Sequence, residues 1–142
     1  MQRQELVFDA ELVGCGEVRR VIAVRDDLTL VDLHYALQSA FGWDDDHLYA
    51  FWLCDQFWAS ATEHFTRPCG DQPIDPGERS AAIRLDSLGL AEGQQITYVF
   101  DFGDEWRVRL RLDEISTHGD RPSPRILEAV GTAPPQYAHT AA

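Results

Sequence analysis

The chain has 142 residues, 44% of them hydrophobic, enough for one domain that buries about two-thirds of its unfolded surface without metals or disulfides. Its 24 acids against 12 bases give a net charge of −12 and a pI near 4.6. That balance disfavours generic binding to phosphate backbones and favours basic partners or cations. The longest apolar run, Leu48 to Leu53, is too short to span a membrane.

Leu6, Phe8, Ala10 and Leu12 alternate with Val7, Asp9 and Glu11, the period of a strand. Gly14-Cys15-Gly16 breaks it, and 18–24 reads as the returning strand. A helix is predicted over about 29–41, with Thr29 as N-cap, Asp32 completing an imperfect capping box, and an apolar stripe of Leu30, Leu33, Leu37, Ala40 and Phe41. Gly42 is placed to end it. Residues 47–53 are apolar on both parities, which predicts a central strand covered on both faces. Phe57 and Trp58 read as a short strand. The stretch at about 66–82, with Pro68, Gly70, Pro73, Pro76 and Gly77, reads as an irregular surface loop. A short strand at 83–85 leads into a helical turn at 86–90.

Two apolar-alternating runs then meet at Asp101-Phe102-Gly103-Asp104-Glu105. Parity demands an odd loop, and pairing Phe102 with Trp106 and Phe100 with Val108 keeps the apolar side chains together. Asp101 would then face Arg107 across the strands. A Pro-rich tail is expected from about 116 to 142. The sum predicts a single α+β domain over 1–142: a mixed or antiparallel sheet of two hairpins plus a further strand, packed against one long helix.

The ordered motifs Val18-Arg19-Arg20-Val21-Ile22, Leu33-His34, Gln38-Ser39-Ala40-Phe41-Gly42-Trp43, His47-Leu48 and Asp101-Phe102-Gly103-Asp104-Glu105-Trp106 resemble the plasmid pRiA4b ORF-three-like family, with its MM-three-three-five-zero-like fold. The match covers about 5–137. The resemblance implies a small α+β domain of plasmids and of bacterial and archaeal genomes, with no established activity. It also implies tail cysteines and an acidic pair after a double proline, whereas here Ala133-Pro134-Pro135-Gln136-Tyr137 has neither. The resolvase-like label given to some members finds no serine-recombinase pattern here.

Two short motifs fail. Asp101-Phe102-Gly103 spells a kinase metal motif without its catalytic loop, and Gly14-x-Gly16 lacks a βαβ unit. Asp44-Asp45-Asp46 lacks the alternation of a calcium loop and reads as a solvated turn. The remaining candidates are a polar cluster and two surfaces. His34, His47, Asp101 and Asp104 could converge near Trp43 and Trp106 to bind a divalent metal or act as an acid–base set, with Gly42 and Gly103 shaping the turns. Otherwise Asp101 pairs with Arg107, Asp104 caps the turn, and the histidines are hydrogen-bonded packing residues. Arg19, Arg20, Arg107, Arg109 and Arg111 would form an anion site only if the hairpins adjoin, and otherwise are solvated strand residues. Phe57 and Trp58 would mark a partner surface if exposed.

Cys15, Cys54 and Cys69 are an odd, scattered set. With no secretory leader read at the start, reduced thiols in a cytoplasm are expected. Acidity, aromatic content and the lack of a catalytic motif point to a non-enzymatic protein-binding or adaptor module, with an acidic decoy for a basic partner surface as a special case, and the resemblance implies a setting among mobile or accessory genes. No cofactor is expected, and neither nucleic acid nor membrane is an expected partner. The alternative is a small metal-dependent hydrolase or nucleic-acid-processing enzyme using the His/Asp cluster, which requires the four side chains to line one cleft.

Overall fold

The computed structural model describes residues 4–60, 62–68, 77–117 and 121–136. Its strands are β1 (Gln4–Leu12), β2 (Arg19–Arg25), β3 (Tyr49–Trp52), β4 (His64–Thr66), β5 (Glu78–Ser80), β6 (Gln95–Phe100), β7 (Trp106–Thr117) and β8 (Arg125–Val130), with one α-helix, α1 (Leu30–Phe41), and a 3₁₀ turn at Leu85–Ser87. All eight strands join one sheet in the order β5-β4-β3-β6-β7-β1-β2-β8, antiparallel except for the β4–β5 pair.

This overturns the expected α+β arrangement of two hairpins and one further strand balanced against a helix. The sheet dominates because segments read as irregular are paired. The β4 and β5 strands, three residues each, lie at the borders of the expected loop, and are too short to show a period. The expected tail supplies the end of β7 and all of β8, which pairs with β2. Phe57 and Trp58 form a turn rather than a strand, and 83–85 contributes only an isolated bridge from Arg84 to Thr29 before the 3₁₀ turn. Cys69, Gly70, Pro73 and Pro76 lie outside the described residues.

The β6–β7 register differs by two residues from the predicted one. Phe100 pairs with Trp106 and Tyr98 with Val108, so the loop is Asp101–Glu105 and Val99 stands opposite Arg107. Parity survives because the shift is even. The turn starts early because Asp101 and Glu105 take left-handed backbone (φ 65 and 55), and Asp101 Oδ1 accepts the amides of Gly103 (3.1 Å) and Asp104 (3.2 Å). Phe102 is thereby thrown to the opposite face, beside Ala50, Trp52 and Val99.

One face of the sheet packs on α1 and holds the main core: Phe8, Ile22, Leu33, Leu37, Phe51, Tyr98, Phe100 and Leu110 are all fully buried. The helix is fixed at both ends. Thr29 and Asp32 form a complete reciprocal capping box, and the amides of Leu30 and Val31 donate to the carbonyls of Ile83 and Ala81 (both 3.1 Å). At the far end Gly42 is left-handed (φ 75), and the buried Arg20 guanidinium donates to the Ala40 carbonyl (3.0 Å). The opposite, open face carries a small second cluster of Ala50, Trp52 and Val99, lidded by Phe57, Ala59 and Phe102. As predicted, β3 is buried on both faces. No helix among the described residues is long and apolar enough to cross a membrane.

Candidate functional site

His34 and Gln38 follow Leu30 at steps of four, so they lie on the buried stripe of α1 rather than on its solvent face. Burying two polar side chains requires partners. His34 Nδ1 lies 2.8 Å from the Tyr98 hydroxyl, His34 Nε2 lies 2.8 Å from Asp45 Oδ1, and Gln38 Nε2 donates to the same hydroxyl at 3.0 Å. The donor count assigns the tautomer. Gln38 donates to the Tyr98 oxygen, Tyr98 O–H donates to Nδ1, and Nε2–H donates to the Asp45 carboxylate. Burial pushes the His34 imidazole below its ordinary value, more strongly than Asp45 raises it, so the ring is neutral as this chain requires. Burial likewise pushes the Tyr98 and Tyr49 phenols up. Tyr49 stacks flat on the imidazole, with centroids 3.6 Å apart and planes at 10°. Among the described residues, Gln38 Oε1, Trp43 Nε1 and the Tyr49 hydroxyl find no hydrogen-bond partner.

His47 and Asp101 do meet, with Nε2 to Oδ2 at 3.4 Å, and Asp46 lies 3.5 Å from the same nitrogen. The predicted four-residue cluster nevertheless divides. The Phe100 ring has both imidazoles within about 6 Å, His34 at 6.2 Å and His47 at 6.0 Å, but His34 is buried on Asp45 while His47 sits at the rim. Asp104 is exposed on the turn. Among the described residues no three His, Cys, Asp or Glu side chains are placed to hold a metal ion. Asp101, rather than Asp104, caps the turn, and Arg107 pairs with Glu105 (2.6 Å) instead of Asp101. The Asp44–Asp46 turn is likewise more than solvated: besides Asp45 on His34, the Asp44 amide donates to Gln136 Oε1 (2.6 Å) and Gln136 Nε2 donates to Asp46 Oδ1 (3.1 Å). Trp43 is core, stacked between Phe41 (5.1 Å) and Phe100 (5.3 Å), with Trp106 beside it at 5.8 Å. Sequence reasoning missed Asp45, Gln38 and Tyr98. The four-residue step from Leu30 and the inward parity of Tyr98 were the available signals.

The arginines also divide. Arg20 turns to the helix side, whereas Arg19, Arg107, Arg109 and Arg111 share the open face. There they are matched by acids. Asp9, buried between them, receives Arg19 Nε (3.1 Å) and Arg111 Nη2 (3.5 Å), and its carboxylate raises the Arg19 pKa. Arg111 also donates to Asp113 (2.6 Å), and Arg107 and Arg109 lie over the Phe57 ring at 5.2 and 5.1 Å. The resulting cleft, about 530 Å³, is lined by three arginines and three acids together with Gln95 and Gly16, and is balanced rather than anion-selective. Trp58 is 42% exposed, whereas Phe57 is half-buried beneath those guanidinium groups.

The sequence profile described as "Plasmid pRiA4b ORF-3-like protein" matches residues 9–138. The chain belongs to this family. The chain is also similar to the "Uncharacterized protein y4hQ" of Sinorhizobium fredii (strain NBRC 101917 / NGR234), 31% identical over 119 residues. That match takes in 84% of this chain and 58% of y4hQ, so the chain spans little more than half of the curated relative's length. Among solved structures, the protein of unknown function MM3350 from Methanosarcina mazei Go1 superposes with a TM-score of 0.78 at 22% identity, over 96% of this chain and 74% of that one. At that identity the likeness shows the fold. The family's relatives therefore supply an architecture, and function has to come from the sites.

Proposed function

We propose that this chain is a non-enzymatic protein-binding module that takes an extended, basic segment of a protein partner at the corner between α1 and β8. One observation carries the reading: of five large apolar side chains exposed among the described residues, two, Tyr35 and Ile126, flank one groove there, and a third, Leu127, is next in sequence on β8. Tyr35 on α1 is 54% exposed, and Ile126 and Leu127 on β8 are each 47% exposed. Tyr35 and Ile126 flank a groove of about 410 Å³ whose floor includes Ile22 and Ala36. β8 is also the outermost strand on its side of the sheet, so its outer backbone groups are available to an added chain. Charge supports a basic partner. Arg125 is turned inward onto the buried Glu5, leaving Glu128 as the exposed charge of the strand.

The division of the His/Asp cluster and the pairing of most strand arginines support binding over hydrolysis. The decoy form of the reading needs a uniform acidic face, whereas the open face mixes both signs, with Asp9, Glu105 and Asp113 each paired with arginine. The half-buried free thiols Cys15 and Cys54 support a reducing compartment, and the family's plasmid description supports a setting among mobile or accessory genes.

Peptide-display selection on the immobilised protein tests this. Enrichment of peptides alternating apolar and basic residues, lost on Tyr35→Glu and Ile126→Glu, is the expected result. Absence of enrichment, or enrichment unchanged on both variants, overturns it.

A further inference from the structure

On the open face, far from the α1–β8 corner in strand order, the fold builds a second concavity by two local departures from regular backbone. β3 alternates, so Ala50 and Trp52 point away from the helix. The chain leaving β3 then crosses over this face, and Trp58 takes φ 56, a left-handed conformation that bulky side chains rarely adopt. Its indole is held there by Nε1–H donating to Glu105 Oε1 (2.9 Å). Glu105 is itself left-handed and fixed by Arg107, whose hydrogen bond lowers the Glu105 pKa, with Trp58 adding to the effect. The left-handed Asp101 contributes by delivering Phe102 to the same place.

Three aromatic rings result, set at steep angles. Trp58 meets Trp52 at 5.0 Å and 62°, and meets Phe102 at 5.0 Å and 69°. They line a cleft of about 440 Å³ together with Ala50, His64, Thr66 and Glu78, whose carboxylate accepts the Thr66 hydroxyl at 3.1 Å. No arginine lines the cleft among the described residues. Strained backbone at three positions serves to hold an indole half exposed, the reverse of what core packing would favour.

The ligand class follows from the electrostatics. Ring faces carry negative potential, the Glu78 carboxylate lines the same cleft, and the whole chain has a charge of −12. A strongly hydrated primary ammonium gains little from aromatic walls, whereas an alkylated one sheds little water to reach them. From this geometry we infer that the Trp52–Trp58–Phe102 cleft is a binding site for an alkylated ammonium group, with Glu78 as its counter-charge. The cation could be carried by a free small molecule or by a methylated lysine side chain.

Ligand-observed NMR titration with choline, a trimethyllysine peptide and the neutral isostere 3,3-dimethylbutan-1-ol tests the site and separates the sources. The cations should bind saturably, with the isostere at least about 10-fold weaker, as a cation–π site worth more than about 1.4 kcal/mol requires. Trp58→Ala should weaken the cations by about 10-fold, and Glu78→Gln, which keeps the shape and removes the charge, by several-fold. Tighter binding of the peptide assigns the cation to a protein partner, and equal or tighter binding of choline assigns it to a free molecule; either supports the site. Equal affinity for the isostere, no saturable binding, or indifference to Glu78→Gln in a variant with unchanged urea unfolding overturns it. Tyr35→Glu should leave these affinities unchanged, so this site and the α1–β8 surface can fail separately.

Discussion

Tyr98→Phe deletes one oxygen from the core, and the structure says what that oxygen holds. It donates to His34 Nδ1 at 2.8 Å and accepts from Gln38 Nε2 at 3.0 Å, in a setting where all three side chains are at most 4% exposed. The substitution leaves a buried acceptor and a buried donor unpaired, each at about 1–3 kcal/mol, while the transfer of the ring itself changes little. Among the described residues Gln38 Oε1 has no partner either, so rotating its amide does not satisfy both ends. The expected loss is about 2–4 kcal/mol. With an unfolding entropy of about 0.3 kcal/mol/K for 142 residues, that is a fall in Tm of about 7–13 °C. Urea unfolding followed by tryptophan fluorescence gives the free energy, and calorimetry gives Tm. The control is the triple variant His34→Leu, Gln38→Leu, Tyr98→Phe, which removes the partners together and should cost less than the three single losses summed. A Tyr98→Phe loss below about 0.5 kcal/mol, or strict additivity in the triple variant, would refute the assignment of this network.

Burial also couples His34 to pH. Its folded value lies below the ordinary 6.5, so the unfolded chain takes up the proton first as pH falls, and this contribution is complete above about pH 6.5 and lost on descending towards the lowered folded value. The difference in urea midpoint between wild type and His34→Leu should therefore shrink with falling pH, and parallel profiles would contradict it. At the β6–β7 turn, Asp101→Asn keeps an acceptor for the Gly103 and Asp104 amides and tolerates φ 65, so thermal unfolding should move by no more than about 0.5 kcal/mol, against about 1–3 kcal/mol for Asp101→Ala. Gly131→Ala would place a Cβ 2.1 Å from the Glu17 carbonyl oxygen at φ 76; a loss above about 2 kcal/mol is expected, with hydrogen exchange rising first in 125–130. Retained protection of that strand would show that the β2–β8 seam tolerates displacement.

The elements with strong local signals were legible in advance. Thr29, Asp32 and Gly42 bound the helix because capping chemistry is local, and the first hairpin and the apolar parity of β6 and β7 follow from period two. What escaped was decided by distant partners. A three-residue strand such as His64–Thr66 has no readable period and exists because β3 offers it an edge. Residues 125–130 read as tail because prolines surround them, yet β2 presents an unpaired edge there. The even slip at Asp101 could not be seen from parity, since both registers keep the same faces together. In the site, His34 and His47 looked alike as sequence, and only the packing of Phe100 between helix and turn separates a buried hydrogen-bonding relay from a rim histidine.

The position of β1 in the sheet has a consequence for how the chain is made. One edge of this strand finds β2 within a few residues, but the other must wait for β7, with which it pairs from Gln4↔Thr117 to Leu12↔Val108. During synthesis the early hairpin and α1 can form while that inner edge stays open, and the two halves of the sheet can join only after residues near 117 have left the ribosome. The seam between β1 and β7 is thus both an interior seam of the finished sheet, with five strands on one side and three on the other, and a late, non-local step in its assembly. Until it closes, a nascent chain exposes the middle of the sheet, including Phe8 and Leu112, to any holdase or neighbouring strand within reach.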